Sequence, residues 1–303
     1  MNLNVGGLDL PALDSNHKLH WVLTSALGQK HSQTGVDKET PPWNADFFGL
    51  TQIPLYQEAD PAEQAQILQQ ASQDLLTEAY CLEKAGMGYM AKMTLLAETT
   101  EERMLYALFC ADETQHLAKL SPFVSEADAT QGANALFLRL LVPLLDTADR
   151  AVLMFVIQVV LEGWGLSHYR SLSRHCLNPD LAERFRSFLQ AEARHHGTGV
   201  TLFDRSTLSA ASRAAIVEAL AGFLQMVRIG PQRLVTAIAT VKGDLSRSQR
   251  IGLLTELDTE THSGVRLALL RSLIAPVAPD IAETLEEQNL FSPLPPAQCV
   301  PPA

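Results

Sequence analysis

The chain lacks features that mark several large protein classes. Its four cysteines, Cys81, Cys110, Cys176 and Cys299, lie far apart and form no Cys-x-x-Cys pair. Neither a disulfide framework nor a thiolate metal site is therefore expected. Basic residues are too few to balance the acidic ones, and the net charge of −11 disfavours a surface that follows nucleic-acid phosphates. Strand-type alternation is scarce, which predicts an all-α fold class.

The sequence also lacks an amino-terminal segment with the basic and apolar regions of a secretion signal. Its longest apolar run, residues 151–161, ends directly before Glu162 and is too short to span a bilayer. We therefore expect a soluble, cytoplasmic protein with reduced thiols and with neither a membrane nor a nucleic-acid partner.

The length and the apolar content indicate one large helical core. The chain has 303 residues, 47% of them hydrophobic, and three regions can be distinguished. Residues 1–60 are predicted to form an irregular extension that wraps the core, and residues 61–205 to form a bundle with a long crossover at 133–145. Residues 206–303 are predicted to add accessory helices over 206–224, 230–241 and 246–273, followed by a Pro-rich tail that forms an extended arm.

The most informative feature is a set of Glu and His residues that occurs twice. Chance predicts only about half of one Glu-x-x-His in a chain with this composition, so the bare motif is weak. The spacing between the two sets is a stronger signal, because every member of the second set lies 79 residues after its counterpart. Gly165 follows Gly86 at the same offset. This arrangement indicates a duplicated helical hairpin. The first set is Glu83, Glu113 and His116, and the second is Glu162, Glu192 and His195.

Capping signals predict where each hairpin turns. Asp60, followed by a proline and by Glu63, is typical of a helix start, and Thr99 and Asn178 are further candidate caps. The turns are thus expected near residues 98 and 177. In each hairpin the Glu-x-x-His pair lies about as many residues after the turn as the glutamate of the preceding helix lies before it. The pair and that glutamate are therefore expected at the same height when the two helices pack antiparallel. Since residues three apart share one helix face, each pair can present a carboxylate and an imidazole to the same point.

The same residues can also be explained without a metal site. An isolated Glu-x-x-His on a helix is usually a solvated surface pair. Glu162 argues against this, because it follows a run that is apolar on nearly every face, and a buried lone carboxylate is costly unless it is paired or metal-bound. Glu78 is a rival for the first ligand, although the offset favours Glu83. His196 points away from His195 on a helix and is not expected to be a ligand.

This arrangement resembles the ferritin-like di-iron carboxylate superfamily, over roughly residues 61–205. The resemblance implies a ferritin-like four-helix bundle in which the six residues bind two iron ions, or one manganese and one iron, and reduce O₂ or peroxide. Glu113 and Glu162 would be the candidates to bridge the metals. Asp112 matches an aspartate that orients the histidine of the opposite motif, here His195. The second copy has Ala191 at that place, so His116 needs another partner.

No named subfamily fits cleanly. The radical-bearing subunit of ribonucleotide reductase usually has a tyrosine where Leu120 stands, and aromatic-amine N-oxygenases have an additional histidine where Phe188 stands. Rubrerythrin-like peroxidases have a further glutamate where Gly165 stands, and a cysteine-rich module. Hydroxylases and acyl-carrier-protein desaturases often have a threonine in the same region.

The added length outside the bundle favours a covered pocket. We therefore expect a di-iron oxidase or monooxygenase that acts on a small organic molecule, receives electrons from an external reductase or ferredoxin, and forms a homodimer. The alternatives are an iron-oxidising or peroxide-reducing protein, and a non-enzymatic helical scaffold with a vestigial site. An apolar route to the metals would favour the first reading and an open acidic channel the second.

Overall fold

A computed structural model of the chain describes residues 5–14, 16–28, 40–125, 128–129, 135–147, 149–205 and 208–301. The regular elements within these residues are all helical, which confirms the predicted all-α class. One π-helical segment spans Met154–Leu161. The α-helices are α1 Leu19–Ala26, α2 Pro54–Gln57, α3 Pro61–Leu96, α4 Thr100–Leu120, α5 Leu136–Asp146, α6 Arg150–Leu153, α7 Glu162–His175, α8 Pro179–Leu202, α9 Ala210–Arg228, α10 Gln232–Lys242, α11 Arg247–Glu256, α12 Thr259–Ile274 and α13 Pro279–Glu287.

The first predicted hairpin consists of α3 and α4. The Asp60 carboxylate accepts hydrogen bonds from the amides of Ala62 and Glu63, while the Glu63 side chain accepts from the Asp60 amide, so the predicted capping box is present. The Thr99 hydroxyl caps α4 by accepting from the Glu102 amide at 3.1 Å. Only three residues separate the two helices, so the chain reverses near residue 98 as predicted, and α3 and α4 pack along each other.

The second hairpin consists of a continuous helical stretch, Arg150–His175, and α8. The Asn178 side chain accepts from the Leu181 amide at 3.0 Å, which confirms this residue as the cap of α8. Every residue of the π-helical segment is buried, as its apolar sequence predicts. The π geometry itself was not predicted. Such segments add one residue to a helical turn and are frequent at functional sites.

The two hairpins adjoin through α8, which packs against both α4 and the π-helical segment. The predicted crossover is observed as α5, although residues 133 and 134 lie outside the described part of the chain. This helix packs on α3 and α9, so it covers one side of the hairpins. The helix faces that carry the repeated glutamates and histidines therefore meet in the interior, on the side that α5 covers.

The carboxy-terminal helices complete the same core. Helices α9 and α12 pack against the π-helical segment, and α10 packs on α3. The continuous helix predicted over 246–273 is wrong, since the structure has two helices there, α11 and α12. They are separated at Asp258, whose φ of +46° lies in the left-handed region. Aspartate tolerates this conformation better than most residues, and the break is a feature that apolar spacing cannot reveal.

The segment near Trp43 and the carboxy-terminal tail pack on the core, whereas α1 buries none of its residues. Trp43 is fully buried and its indole N–H donates to the Leu172 carbonyl at 3.1 Å, which fixes residues near 43 on α7. The prediction of an extended carboxy-terminal arm is wrong, because Cys299 and Val300 are buried. The Arg247 guanidinium donates to two carbonyls of this tail and holds it on α11. The division into three regions stays a prediction.

Two helices are long and apolar enough to cross a membrane by length and composition alone. The run 151–161, which is too short to span a bilayer by itself, is part of the first of them, Arg150–His175. In the stretch Arg150–His175, 61% of the most apolar window is buried inside the protein, as in the core helix of a soluble protein. The corresponding value for Ala210–Arg228 is 33%. The cytoplasmic location stays a prediction.

Candidate metal centre

The six residues of the repeated pattern meet in the interior, between the two hairpins. Helices α3 and α7 each bring one glutamate, while α4 and α8 each bring a Glu-x-x-His pair. Five of the six are no more than 3% exposed, and Glu162 is half-buried at the edge of the cluster. The burial is unusual because glutamate is rarely found fully buried without a partner. The residues are Glu83, Glu113, His116, Glu162, Glu192 and His195.

These residues form two overlapping groups of four. Within each group the four ligand atoms lie within 4.8 Å of one another. One group has Glu83 and His116, the other has Glu162 and His195, and both contain Glu113 and Glu192. Glu162 belongs to one group, whereas Glu113 and Glu192 belong to both. The expectation that Glu113 and Glu162 bridge the metals stays a prediction.

The imidazoles face carboxylates on neighbouring helices. His116 Nδ1 lies 3.0 Å from Glu83 Oε2 and 3.3 Å from Glu192 Oε1. His195 Nδ1 lies 3.2 Å from Glu113 Oε1 and 3.6 Å from Glu192 Oε2. Each histidine thus faces the opposite Glu-x-x-His motif as well as its own helix, and the ligand levels match across the hairpins.

Burial and close carboxylates shift the pKa values of the cluster. Burial, together with Glu113, raises the pKa of Glu83 to about 8. Burial and the neighbouring Glu192 hold the pKa of Glu162 well above its ordinary value. Burial alone would lower the pKa of His116, but the three glutamates facing it raise it to about 12. Bound protons thus compensate the buried negative charge, and a bound cation would have the same effect.

The donor set fits divalent metal ions. His195 Nδ1 is buried and lies 3.2 Å from Glu113 Oε1, but the geometry of this contact does not make a hydrogen bond. A buried imidazole nitrogen that faces carboxylates without a hydrogen bond is the arrangement that a shared metal ion would satisfy. Four carboxylates also carry the charge that two divalent ions neutralise. Oxygen and imidazole donors without a thiolate favour iron or manganese over structural zinc.

The histidines are oriented from outside the cluster. Asp112 Oδ2 lies 3.4 Å from His195 Nε2, so the structure brings together the pair expected from the sequence. The same carboxylate accepts from Arg194 at 3.1 Å. This contact holds the far nitrogen of His195 and directs Nδ1 toward the glutamates. His116 has no aspartate counterpart, and its ring stacks on Phe188 with centroids 4.1 Å apart.

Tyr169 is a further site residue that sequence reasoning missed. Its buried hydroxyl donates a hydrogen bond to Glu83 Oε1. Two turns of helix separate Tyr169 from Glu162, so both lie on the same face of α7, and this spacing was the available signal. The contact leaves Glu83 Oε2 to face His116. Tyr169 therefore fixes the rotamer of the one glutamate that α3 contributes.

Gln158 is a second residue that the sequence did not single out. It is fully buried in the π-helical segment, and its Oε1 accepts hydrogen bonds from Tyr89 at 3.0 Å and from Tyr106 at 2.8 Å. Its Nε2 donates to the His195 carbonyl at 2.9 Å. One side chain thereby joins α3, α4 and α8 beside the cluster. A lone glutamine in an apolar run was the signal for this role.

The rival residues lie outside the centre. Glu78 forms an ion pair with Arg233 on α10, and this partner explains the charge without a metal. His196 belongs to neither group, and its Nδ1 lies 3.4 Å from the Gln158 carbonyl.

A cavity of about 100 Å³ opens to solvent beside the cluster. The four glutamates form one side of it, and apolar residues from α3, α5 and the π-helical segment form most of the rest. Tyr89 of α3 and Gly165, His168 and Tyr169 of α7 complete the lining. Phe137, Leu141 and Leu145 of α5 lie four residues apart and form one stripe that covers the cavity. Sequence reasoning expected a covered pocket but did not assign this wall to the crossover. The stripe could have indicated it.

Comparisons with protein-family models, with curated proteins and with solved structures find no match to the chain. What is known of the centre therefore comes from its own geometry. The chain is an all-α protein with a buried cluster of glutamates and histidines that is compatible with a metal site.

Proposed function

We propose that the chain is a ferritin-like di-iron oxidase or monooxygenase of a small organic substrate. The observation that carries this proposal is the pair of overlapping ligand groups, built from two hairpins of the same sequence pattern and sharing Glu113 and Glu192. Two metal sites that share carboxylates are the arrangement expected for a di-metal centre. The absence of family and structure matches leaves the assignment to this geometry alone.

The roles of the residues follow from their positions. Glu83 and His116 would hold one ion, Glu162 and His195 the other, and Glu113 and Glu192 would contact both. Two bound iron ions supply the electrons and the Lewis acidity for the reduction of O₂. Asp112 would orient His195, and Tyr169 would orient Glu83, without contacting the ions themselves.

The cavity favours an organic substrate over the alternatives. Its wall away from the carboxylates is mainly apolar, with His168 and two tyrosines among the lining residues, so it would offer an organic molecule an apolar surface next to the metals. An iron-oxidising protein needs an acidic path along which Fe(II) reaches the centre. Glu162, which is half-buried, is the glutamate of the cluster that Fe(II) from solvent would meet first in that second function. An external electron donor, a homodimer and a cytoplasmic location remain parts of the proposal.

The first test is the metal content of the protein, produced with iron and manganese in the medium and purified without a chelator. We expect about two ions per chain. The variant Glu162→Gln should lose at least one of them, whereas Glu101→Gln, an exposed glutamate on α4, should lose none. Less than about a tenth of an equivalent, persisting after anaerobic addition of Fe(II), would leave the duplicated hairpin as a scaffold.

A second measurement separates the oxidase from the iron-handling alternative. The loaded protein is mixed with O₂ and then with an excess of Fe(II), without any organic compound. We expect the bound Fe(II) to be oxidised once. Repeated oxidation of the added Fe(II), with iron retained by the protein, would instead favour a ferroxidase.

A further inference from the structure

The cavity beside the cluster restricts the charge of its ligand. Apart from the four glutamates, the lining has no charged side chain, and no lysine or arginine is among the described residues that form it. The four glutamates neutralise two divalent ions, so a carboxylate or phosphate group would be desolvated there without a further positive charge to pair with. His168 is the remaining ionisable residue of the lining apart from two tyrosines. Burial, with a smaller effect of Arg266, lowers its pKa to about 4, so the imidazole is neutral near pH 7.

The cavity also restricts the size of its ligand. Its volume of about 100 Å³ is smaller than the ~150 Å³ of an apolar protein cavity that accommodates benzene. An aromatic ring is therefore a poor fit next to the metals. Because the cavity opens to solvent, a longer molecule can place one end inside and leave the remainder outside.

Gly165 leaves space in this cavity. It lies on α7, one turn after Glu162, and a Cβ at this position would meet no atom within 4 Å. Its counterpart in the first hairpin, Gly86, is different, since a Cβ there would lie 3.0 Å from Glu113 Oε2. Gly86 thus makes room for a ligand side chain, whereas Gly165 leaves room that no protein atom uses. Glycine in a helix lowers stability by about 1 kcal/mol relative to alanine, so this space has a cost.

We infer that the cavity takes the uncharged, aliphatic end of an organic substrate, and that the absent side chain at Gly165 provides the space for that end beside Glu162. The inference rests on the proposed function, because it assumes that the cluster holds the metals. It adds the class of the substrate and a residue that determines specificity. Larger side chains at position 165 should exclude the substrate without disturbing the ligands, since the added atoms extend into open space.

The test uses n-hexanol, hexanoate and benzyl alcohol as probes of protein loaded with Mn(II). Paramagnetic relaxation of the probe protons in solution NMR reports how close each end comes to the metals, and Zn(II)-loaded protein is the diamagnetic reference. For n-hexanol we expect the methyl end to relax faster than the CH₂OH end. Hexanoate should bind at least about tenfold more weakly, because the four glutamates already neutralise the two ions and the lining offers its carboxylate no further positive charge. Benzyl alcohol should also bind more weakly than n-hexanol.

Variants locate the effect. Gly165→Leu should weaken binding of n-hexanol by about tenfold or more, and Gly165→Ala should have a smaller effect, while both keep the metal content of the parent. Gly252→Leu is the matched control, because Gly252 lies in α11, a Cβ there also meets nothing within 4 Å, and the position is outside the cavity. Melting temperatures show that each variant is folded.

The outcomes distinguish the two proposals. A protein that takes up no metal overturns both the proposed function and this inference. A loaded protein overturns the inference alone if hexanoate or benzyl alcohol binds as tightly as n-hexanol, or if the CH₂OH end relaxes faster. Unchanged binding of n-hexanol by folded, loaded Gly165→Leu would also overturn it.

Discussion

Small changes at single residues decide how the two copies of the hairpin differ. In the first copy, Asp112 contacts the far nitrogen of His195, but the equivalent position in the second copy is Ala191. Both histidines also contact a phenylalanine ring, Phe188 for His116 and Phe109 for His195, so the aspartate is the difference. A hydrogen bond to a carboxylate raises the basicity of an imidazole, whereas a ring contact only restrains its orientation. The two halves of the centre are therefore chemically distinct although the ligand types are the same.

Loss of the Tyr169 hydroxyl should weaken one half of the centre. The variant Tyr169→Phe keeps the ring in its contacts with Phe185 and Phe188 but removes the donor to Glu83. Outer contacts of this kind typically contribute 10 to 100-fold to metal affinity. We expect the affinity for one of two Mn(II) ions to fall by about that factor, measured by titration with detection of free Mn(II) by electron paramagnetic resonance.

Two comparisons make this prediction specific. Tyr56→Phe, in a separate part of the core, should leave both affinities unchanged. Asp112→Asn should weaken the half that contains His195, so the double variant should weaken both ions. If Tyr169→Phe binds two Mn(II) ions as tightly as the parent, the hydroxyl does not position Glu83.

At the scale of helices, the Gln158 side chain connects the π-helical segment to α3, α4 and α8. Gln158→Leu would leave the Tyr89 and Tyr106 hydroxyls and the His195 carbonyl without their shared partner. Each unsatisfied buried group costs about 1 to 3 kcal/mol, so we expect the free energy of unfolding to fall by about 3 kcal/mol or more. Urea denaturation measures this change.

The control for the glutamine is Gln190→Leu, since Gln190 is exposed on α8 and has no such role. Its free energy of unfolding should change by less than about 0.5 kcal/mol. Equal effects of the two substitutions would show that the network around Gln158 contributes nothing beyond an ordinary surface position.

The helices show what can be predicted from the sequence. Caps at Asp60, Thr99 and Asn178 act through bonds to amides two or three residues away, so local sequence specifies the start of each hairpin helix. The constant offset predicted that the six ligand residues meet. The choice of Glu192 as the second shared carboxylate could not be predicted, because it depends on the packing of α8 against two other helices. The break at Asp258 likewise depends on a single backbone angle.

For the whole molecule, the position of the cluster would link metal binding to folding. The six residues come from four helices of both hairpins, so an unfolded chain cannot present them together. A ligand that binds only the folded state at a concentration of about 100 Kd stabilises it by about 2.7 kcal/mol. The binding free energy of two ions would also offset the cost of burying Glu83, Glu113 and Glu192.

Metal binding should therefore raise the melting temperature of the whole protein. For a chain of this size we expect Mn(II) at about 100 Kd to raise it by about 5 to 10 °C, measured by scanning calorimetry on protein first stripped of metal. The relevant quantity is the difference between stripped and loaded protein, because substitution of a buried carboxylate also changes the stability of the stripped form. Glu113→Gln with Glu192→Gln removes both shared carboxylates and should abolish the difference. Glu101→Gln, exposed on α4, should retain it in full. A metal-dependent rise of the same size in the double variant would mean that the ions bind elsewhere, for example at the surface acidic residues, and would contradict a buried centre shared by the two hairpins.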